Sequence, residues 1–223
     1  ATQIKGVSVQ LGLRAEYTLS DGYSITLDER VERDYLNWFP SVSVSHQVGK
    51  EHSLAYSFSR RIDRPSYQDL NPFVYFLDQY TFGRGNPFLR PQYTNAYGVS
   101  YNWQGKLMVG LNYSHTTEVM QEVIEQDEST LTTFQTRGNL DDFRNYSASV
   151  SVPVSVTKWW SARVNVVGFI NDFSSTAIQA GGDLNNDMTS TNINISNNIS
   201  LPGGFRAQIS GFYQSRLVYG MFE

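Results

Sequence analysis

Cysteine is absent from the 223 residues, which excludes a disulfide scaffold and a thiolate-held zinc site. Charge is scarce, at 17% of residues, where an average globular protein carries about 25%. The charge that remains sums to −4. Nucleic-acid binders are recognised by a basic surface, so no nucleic-acid partner is expected. No run of 18 apolar residues occurs, and a membrane-spanning helix is therefore excluded. A membrane is not, because a spanning β-strand needs only about ten residues with alternate ones facing lipid. The three histidines, His46, His52 and His115, are scattered and make no metal site. Neither a nucleophile elbow with Ser-His-Asp order nor a phosphate-cradling glycine loop is present. The reading is of a protein without catalytic residues, metal or cofactor.

What is abundant is aromatic, β-branched and small polar residues, with 14 Tyr and 13 Phe, a mixture suited to strands. The dominant pattern has period two. From 7 to 17 the odd positions read Val7, Val9, Leu11, Leu13, Ala15, Tyr17, against Ser8, Gln10, Gly12, Arg14, Glu16. Successive strand side chains point to opposite faces, so this is a strand with one apolar side. The same alternation recurs over 36–48, 52–58, 93–103, 107–113, 146–156, 160–166, 193–201 and 205–217, for nine strands in all. Short connections at 49–51, 104–105, 157–158 and 202–204 alternate with long ones at 20–33, 61–92, 126–130 and 172–188; the third of these is short in itself, but its flanking strands run well past membrane length. Trp103, Trp159 and Trp160 sit beside the short turns. Tyr17, Trp38, Tyr93, Tyr113, Phe169 and Tyr213 sit toward the long loops, giving two aromatic bands.

Two architectures fit the alternation. In a soluble sandwich or small closed barrel the apolar face is the core; in a membrane barrel it meets lipid. Strand length, an inner face of Ser, Asn, Gln and Gly rather than Lys and Glu, and the asymmetry of the connections favour the membrane. The predicted fold is all-β: an antiparallel up-and-down meander of about nine long strands, part of a transmembrane β-barrel.

The segment 60–93, RRIDRPSYQDLNPFVYFLDQYTFGRGNPFLRPQY, carries the sharpest motifs. Arg61, Arg64, Pro65 and Tyr67, then Leu70-Asn71-Pro72, then Gly85-Asn86-Pro87, Leu89 and Pro91 resemble the outer-membrane β-barrel family of Bacteroidetes-type bacteria, relatives of the TonB-dependent receptors. Phe39-Pro40-Ser41 and Gly138-Asn139-Leu140 are similar to that family too. Gln92 departs from it, since such receptors often have Glu there. The resemblance implies an outer-membrane location, a lipid-bilayer partner and import of an unknown nutrient ligand. It also implies coupling to the TonB energy system through a plug domain. A non-transport barrel or adhesin, with long loops that bind partners, is the alternative. Related receptors have about 22 strands, so residues 1–223 are expected to form a single barrel segment, with plug, signal peptide and remaining strands outside it.

Candidate ligand-binding residues lie in the long loop: Arg64, Tyr67, Tyr75, Tyr80, Arg84 and Arg90. The competing reading of the loop is structural, with Arg–Asp pairs and aromatics holding it over the barrel mouth. Candidate lumen-lining residues are Arg14, Glu16, Arg163, Arg206 and Arg216. Asp183, Asn185 and Asp187 imitate the start of a calcium loop, but Met188 and Asn194 stand where Gly and Glu are needed.

Overall fold

The computed structural model describes residues 2–4, 6–24, 28–127, 129–175 and 184–216. In chain order the elements are β1 (Thr2–Ile4), β2 (Val7–Ser24), β3 (Glu29–Val48), β4 (His52–Asp63), the short helix α1 (Tyr67–Leu70), β5 (Tyr75–Phe76) and β6 (Thr81–Gly83). They continue with β7 (Gln92–Trp103), β8 (Leu107–Asp127), β9 (Thr132–Ser155), β10 (Trp160–Ser175), β11 (Leu184–Ser200) and β12 (Arg206–Gln214). All strands join one sheet ordered β1-β2-β3-β4-β7-β8-β9-β10-β11-β12, each neighbour antiparallel, with β5 and β6 attached beside β9. The nine alternating segments are the nine long strands of this meander.

Register explains the sheet's two faces. One row across eight strands reads Val9, Val44, Tyr56, Val99, Leu111, Ala148, Gly168, Thr191. The adjacent row, on the other face, reads Gln10, Ser43, Ser57, Gly98, Asn112, Ser147, Phe169, Ser190. Because the side-chain period is two, a slip of one residue would mix these faces, so the alternation fixes the register.

The apolar face has no second layer. Leu11 is 72% exposed, Leu13 68% and Leu111 54%. The buried apolar residues are only Phe39, Leu89, Val119, Leu140 and Phe173, among the described residues. A soluble sandwich would bury that face, whereas a membrane wall presents it to lipid. The sandwich and the small closed barrel are therefore not formed: among the described residues β1 and β12 each pair on one side only.

The short connections are tight hairpins. Gln104 and Gly105 both take positive φ, 50° and 68°, and Lys106 N donates to Trp103 O at 2.7 Å. Positive φ at both central residues matches the twist of the flanking strands and needs glycine at the second. At the opposite end of the wall Phe58, Tyr97, Tyr113 and Tyr146 lie ring beside ring across four strands, with centroids 4.9, 6.0 and 4.8 Å apart. One row further on, the outer face turns polar: His115 contacts Asp142, and Arg144 lies 3.7 Å from Asp172. The step from aromatic to charged marks the lipid boundary. Phe169 departs from the expected outer band, since it shares the inner face of Ser147 and Ser190.

Strands β3, β8 and β9 run further than the alternation indicated, with β8 continuing to Asp127 and β9 beginning at Thr132. The 126–130 connection is thus the tip of a long hairpin, as the length of its flanking strands implied, whereas 20–33, read as a loop, is largely strand.

Candidate functional site

The chain between β4 and β7 is ordered by its own side chains. Ser66 Oγ accepts from Asp69 N at 3.3 Å, and Asp69 Oδ2 accepts from Ser66 N at 2.8 Å. This reciprocal cap starts α1. Burial pushes the Asp69 carboxyl up, but the Ser66 hydrogen bonds and the Arg137 guanidinium at 3.3 Å outweigh it and hold the group below the usual carboxylate range. The chain then turns through the β5–β6 hairpin, where Phe76 and Phe82 meet edge to face.

That hairpin docks on the edge of β9. Among the described residues β10 pairs with β9 as far as Asp142, and residues 132–141 of β9 lie beyond that pairing on the same side. Strand β6 fills part of this edge in parallel, with Thr81, Phe82 and Gly83 opposite Thr133, Phe134 and Gln135. Further bonds continue the seam: Arg84 N to Gln135 O at 3.0 Å, and Asn86 Nδ2 to Arg137 O at 3.0 Å. Asn139 Oδ1 accepts from Arg90 N at 2.8 Å, while its Nδ2 donates to Arg90 O at 2.9 Å and Glu118 O at 2.8 Å. Glu118 stands at φ 57°, where the β8–β9 ladder misses a rung, and the last of these bonds holds that carbonyl. From β3, Arg33 donates to the carbonyls of Pro87 and Leu89 at 2.6 and 3.1 Å. Leu89 is fully buried beneath them.

The loop candidates divide into two kinds. Arg64 binds Glu16 at 2.8 Å and Thr18 Oγ1 at 2.9 Å. Glu16 also takes Arg14 at 2.9 Å, and Arg14 lies over the Phe39 ring, 5.1 Å from its centroid. The structure thus joins a loop residue to two inner-face residues in the chain Arg14–Glu16–Arg64. Arg84 pairs with Glu125 at 2.6 Å over the Phe134 ring, and Arg90 pairs with Glu118 at 2.8 Å. All three loop arginines are engaged in fastening. Tyr67, Tyr75 and Tyr80 are bare, with Tyr67 79% exposed, and they share the loop surface with Phe73 and Phe76.

The other lumen candidates stand apart. Arg163 lies between Pro153 and Ser196 in the register, and Arg206 opposite Ser200. Arg216 follows β12, its carbonyl accepting from Ser190 Oγ at 2.6 Å. Between loop and wall is a cleft of about 500 Å3 lined by Asp69, Arg84, Glu122 and Arg137 together with Phe73 and Tyr75. No group of three His, Asp or Glu capable of holding a metal occurs among the described residues. The calcium-like stretch begins at Asp183, outside them. Sequence reasoning missed Arg33, Glu118, Glu125 and Arg137 as partners of the loop. Only the Gly138-Asn139-Leu140 motif pointed to the seam.

A one-layer sheet with a bare apolar face, an inner polar face, tight turns at one end and a fastened loop at the other is the wall of an outer-membrane β-barrel. The chain belongs to the outer membrane protein beta-barrel family, which it matches over residues 1–223, and its place is the bacterial outer membrane. Among solved structures it is similar to the copper transporter OprC, at 10% identity and a TM-score of 0.52, covering 94% of this chain and 37% of that one. It is also similar to the Q482A ferric enterobactin receptor PfeA of Pseudomonas aeruginosa in complex with enterobactin, at 12% identity and a TM-score of 0.50, covering 91% and 36%. The siderophore receptor PirA of the same organism gives 12% identity and a TM-score of 0.49, covering 94% and 49%. The chain therefore spans between about a third and a half of these receptors, and the likeness concerns fold alone. No curated protein sequence matches it.

Proposed function

We propose that this chain is one wall of a nutrient-uptake receptor of the outer membrane, energised through the TonB system by a plug domain outside residues 1–223. The observation that carries the reading is the fastened loop. Arg64 reaches from the loop to Glu16 on the inner face, and β6 extends the β9 edge, so a rigid surface stands at the lumen mouth. Rigid loops on such scaffolds carry binding, and the fold is that of copper and siderophore receptors. The remaining strands complete the barrel at the β1 and β12 edges. The exposed Tyr67, Phe73, Tyr75 and Phe76 support the second reading, in which the loop surface binds an extracellular partner.

The test is growth. A strain lacking the intact protein is compared with its parent on a panel of single nutrients, with and without a functional TonB system. Uptake predicts at least one nutrient whose use needs both. Growth indistinguishable on every nutrient, with loss of surface attachment, would replace uptake by adhesion.

A further inference from the structure

The upper parts of β7, β8, β9 and β10 form an open concavity of about 610 Å3 on the inner face, a size within the range of small-molecule sites. Its apolar side is aromatic. Phe143 and Phe173 stack with centroids 4.3 Å apart, and Phe169 lines the same wall. Phe173 is 7% exposed, so this floor is fixed by packing. Its polar side is made of amides. Asn145 Nδ2 donates to Asn171 Oδ1 at 2.6 Å, which leaves Asn145 with an acceptor and Asn171 with two donors. The Gln121 amide, also at the wall, has no hydrogen-bond partner among the described residues. Gln92 is already used, donating to Asp63 and accepting from Met120 N. None of the side chains lining the cavity is charged.

We propose that this cavity is a binding subsite for a neutral saccharide. A sugar ring presents an apolar C–H face, which suits flat phenyl rings, and an edge of hydroxyls that donate and accept together. Amides answer both needs from one group. An anionic iron chelate needs a compensating cation when it leaves water, and this wall offers none, in contrast to the charged cleft beneath the loop. The proposal rests on the uptake reading and names the class of solute.

The test uses the intact protein in detergent and an array of neutral di- and trisaccharides, with a ferric catecholate as the charged comparison. Neutral saccharide should bind. Phe169→Leu, which keeps the apolar volume but removes the flat face, and Gln121→Ala should each weaken binding by about tenfold. Ser43→Ala, elsewhere on the inner face, should leave binding unchanged, and all variants should keep heat-modifiable gel mobility. Saccharide bound equally well by every variant would overturn the assignment of the cavity. Binding of the ferric chelate alone would overturn the saccharide class and leave uptake standing. A neutral result in the growth comparison would remove both.

Discussion

Asn139→Ala is the sharpest perturbation of the loop. The side chain makes three hydrogen bonds, of 2.8, 2.9 and 2.8 Å, to the backbone of Arg90 and Glu118. Each is worth about 1 kcal/mol net, and the Glu118 carbonyl is left unpaired in a half-buried position. Two of them hold Arg90, so docking of residues 84–91 should weaken by about 2 kcal/mol, about thirtyfold in the open population. The third ties β9 to β8 at the missing rung, so the barrel strands away from Glu118 should be unaffected. Hydrogen exchange of the intact protein reads this directly. Amides of Arg84 to Arg90 should exchange about thirtyfold faster, while those of β8 below Thr117 keep their rates. Asn139→Asp retains the acceptor and loses both donor bonds, so it should fall between the two. Unchanged exchange over 84–91 would refute the account of what holds the loop.

Further outcomes follow from the same geometry. In Gly85→Ala the new methyl would lie 2.5 to 2.7 Å from the carbonyl oxygens of Asn71, Asp69 and Gln68; these are backbone atoms, so limited proteolysis should cut the variant between 64 and 91 much faster than the parent. Asp69 has a depressed carboxyl in the folded loop. Its contribution is thus present above the ordinary carboxylate value and lost as pH falls through the lowered one, so loop protection should hold down to about pH 4 and decay below it, and Asp69→Asn should abolish that step. Leu111→Arg places a charge in the middle of the lipid-facing wall and should cost about 2–4 kcal/mol in urea titrations in vesicles, while Asn112→Arg, one residue on and facing inward, should cost far less.

The long strands were legible because one face of each meets a different solvent from the other, and that contrast prints period two on the sequence. It fails where the contrast ends. Above the lipid both faces of β8 and β9 are wet or covered by the loop, so Gln121, Glu122, Thr136 and Arg137 show no alternation, and the reach of the hairpin was legible only from the shortness of its connection. Phe169 misled for a related reason: an aromatic near a strand end suggests the interface, but its register with Ser147 puts it inside. The loop's fastening was least visible. Arg64 and Glu16 are 48 positions apart, and Arg84 and Glu125 are 41 apart. The parallel rung between β6 and β9 joins segments 52 positions apart, a property of the assembled sheet. Arg64, Arg84 and Arg90 stood out as charged loop residues, yet charge alone does not distinguish a fastener from a ligand contact.

The central claim is that the bare apolar face meets lipid and the Ser, Asn and Gly face lines the lumen. Spin labels placed singly at 107 to 113 along β8 of the intact protein in vesicles test it, by comparing relaxation from oxygen, which concentrates in lipid, with that from a water-soluble nickel chelate. The account predicts alternation with period two, oxygen prevailing at 107, 109, 111 and 113 and nickel at 108, 110 and 112. The opposite phase, or no alternation at all, would contradict it.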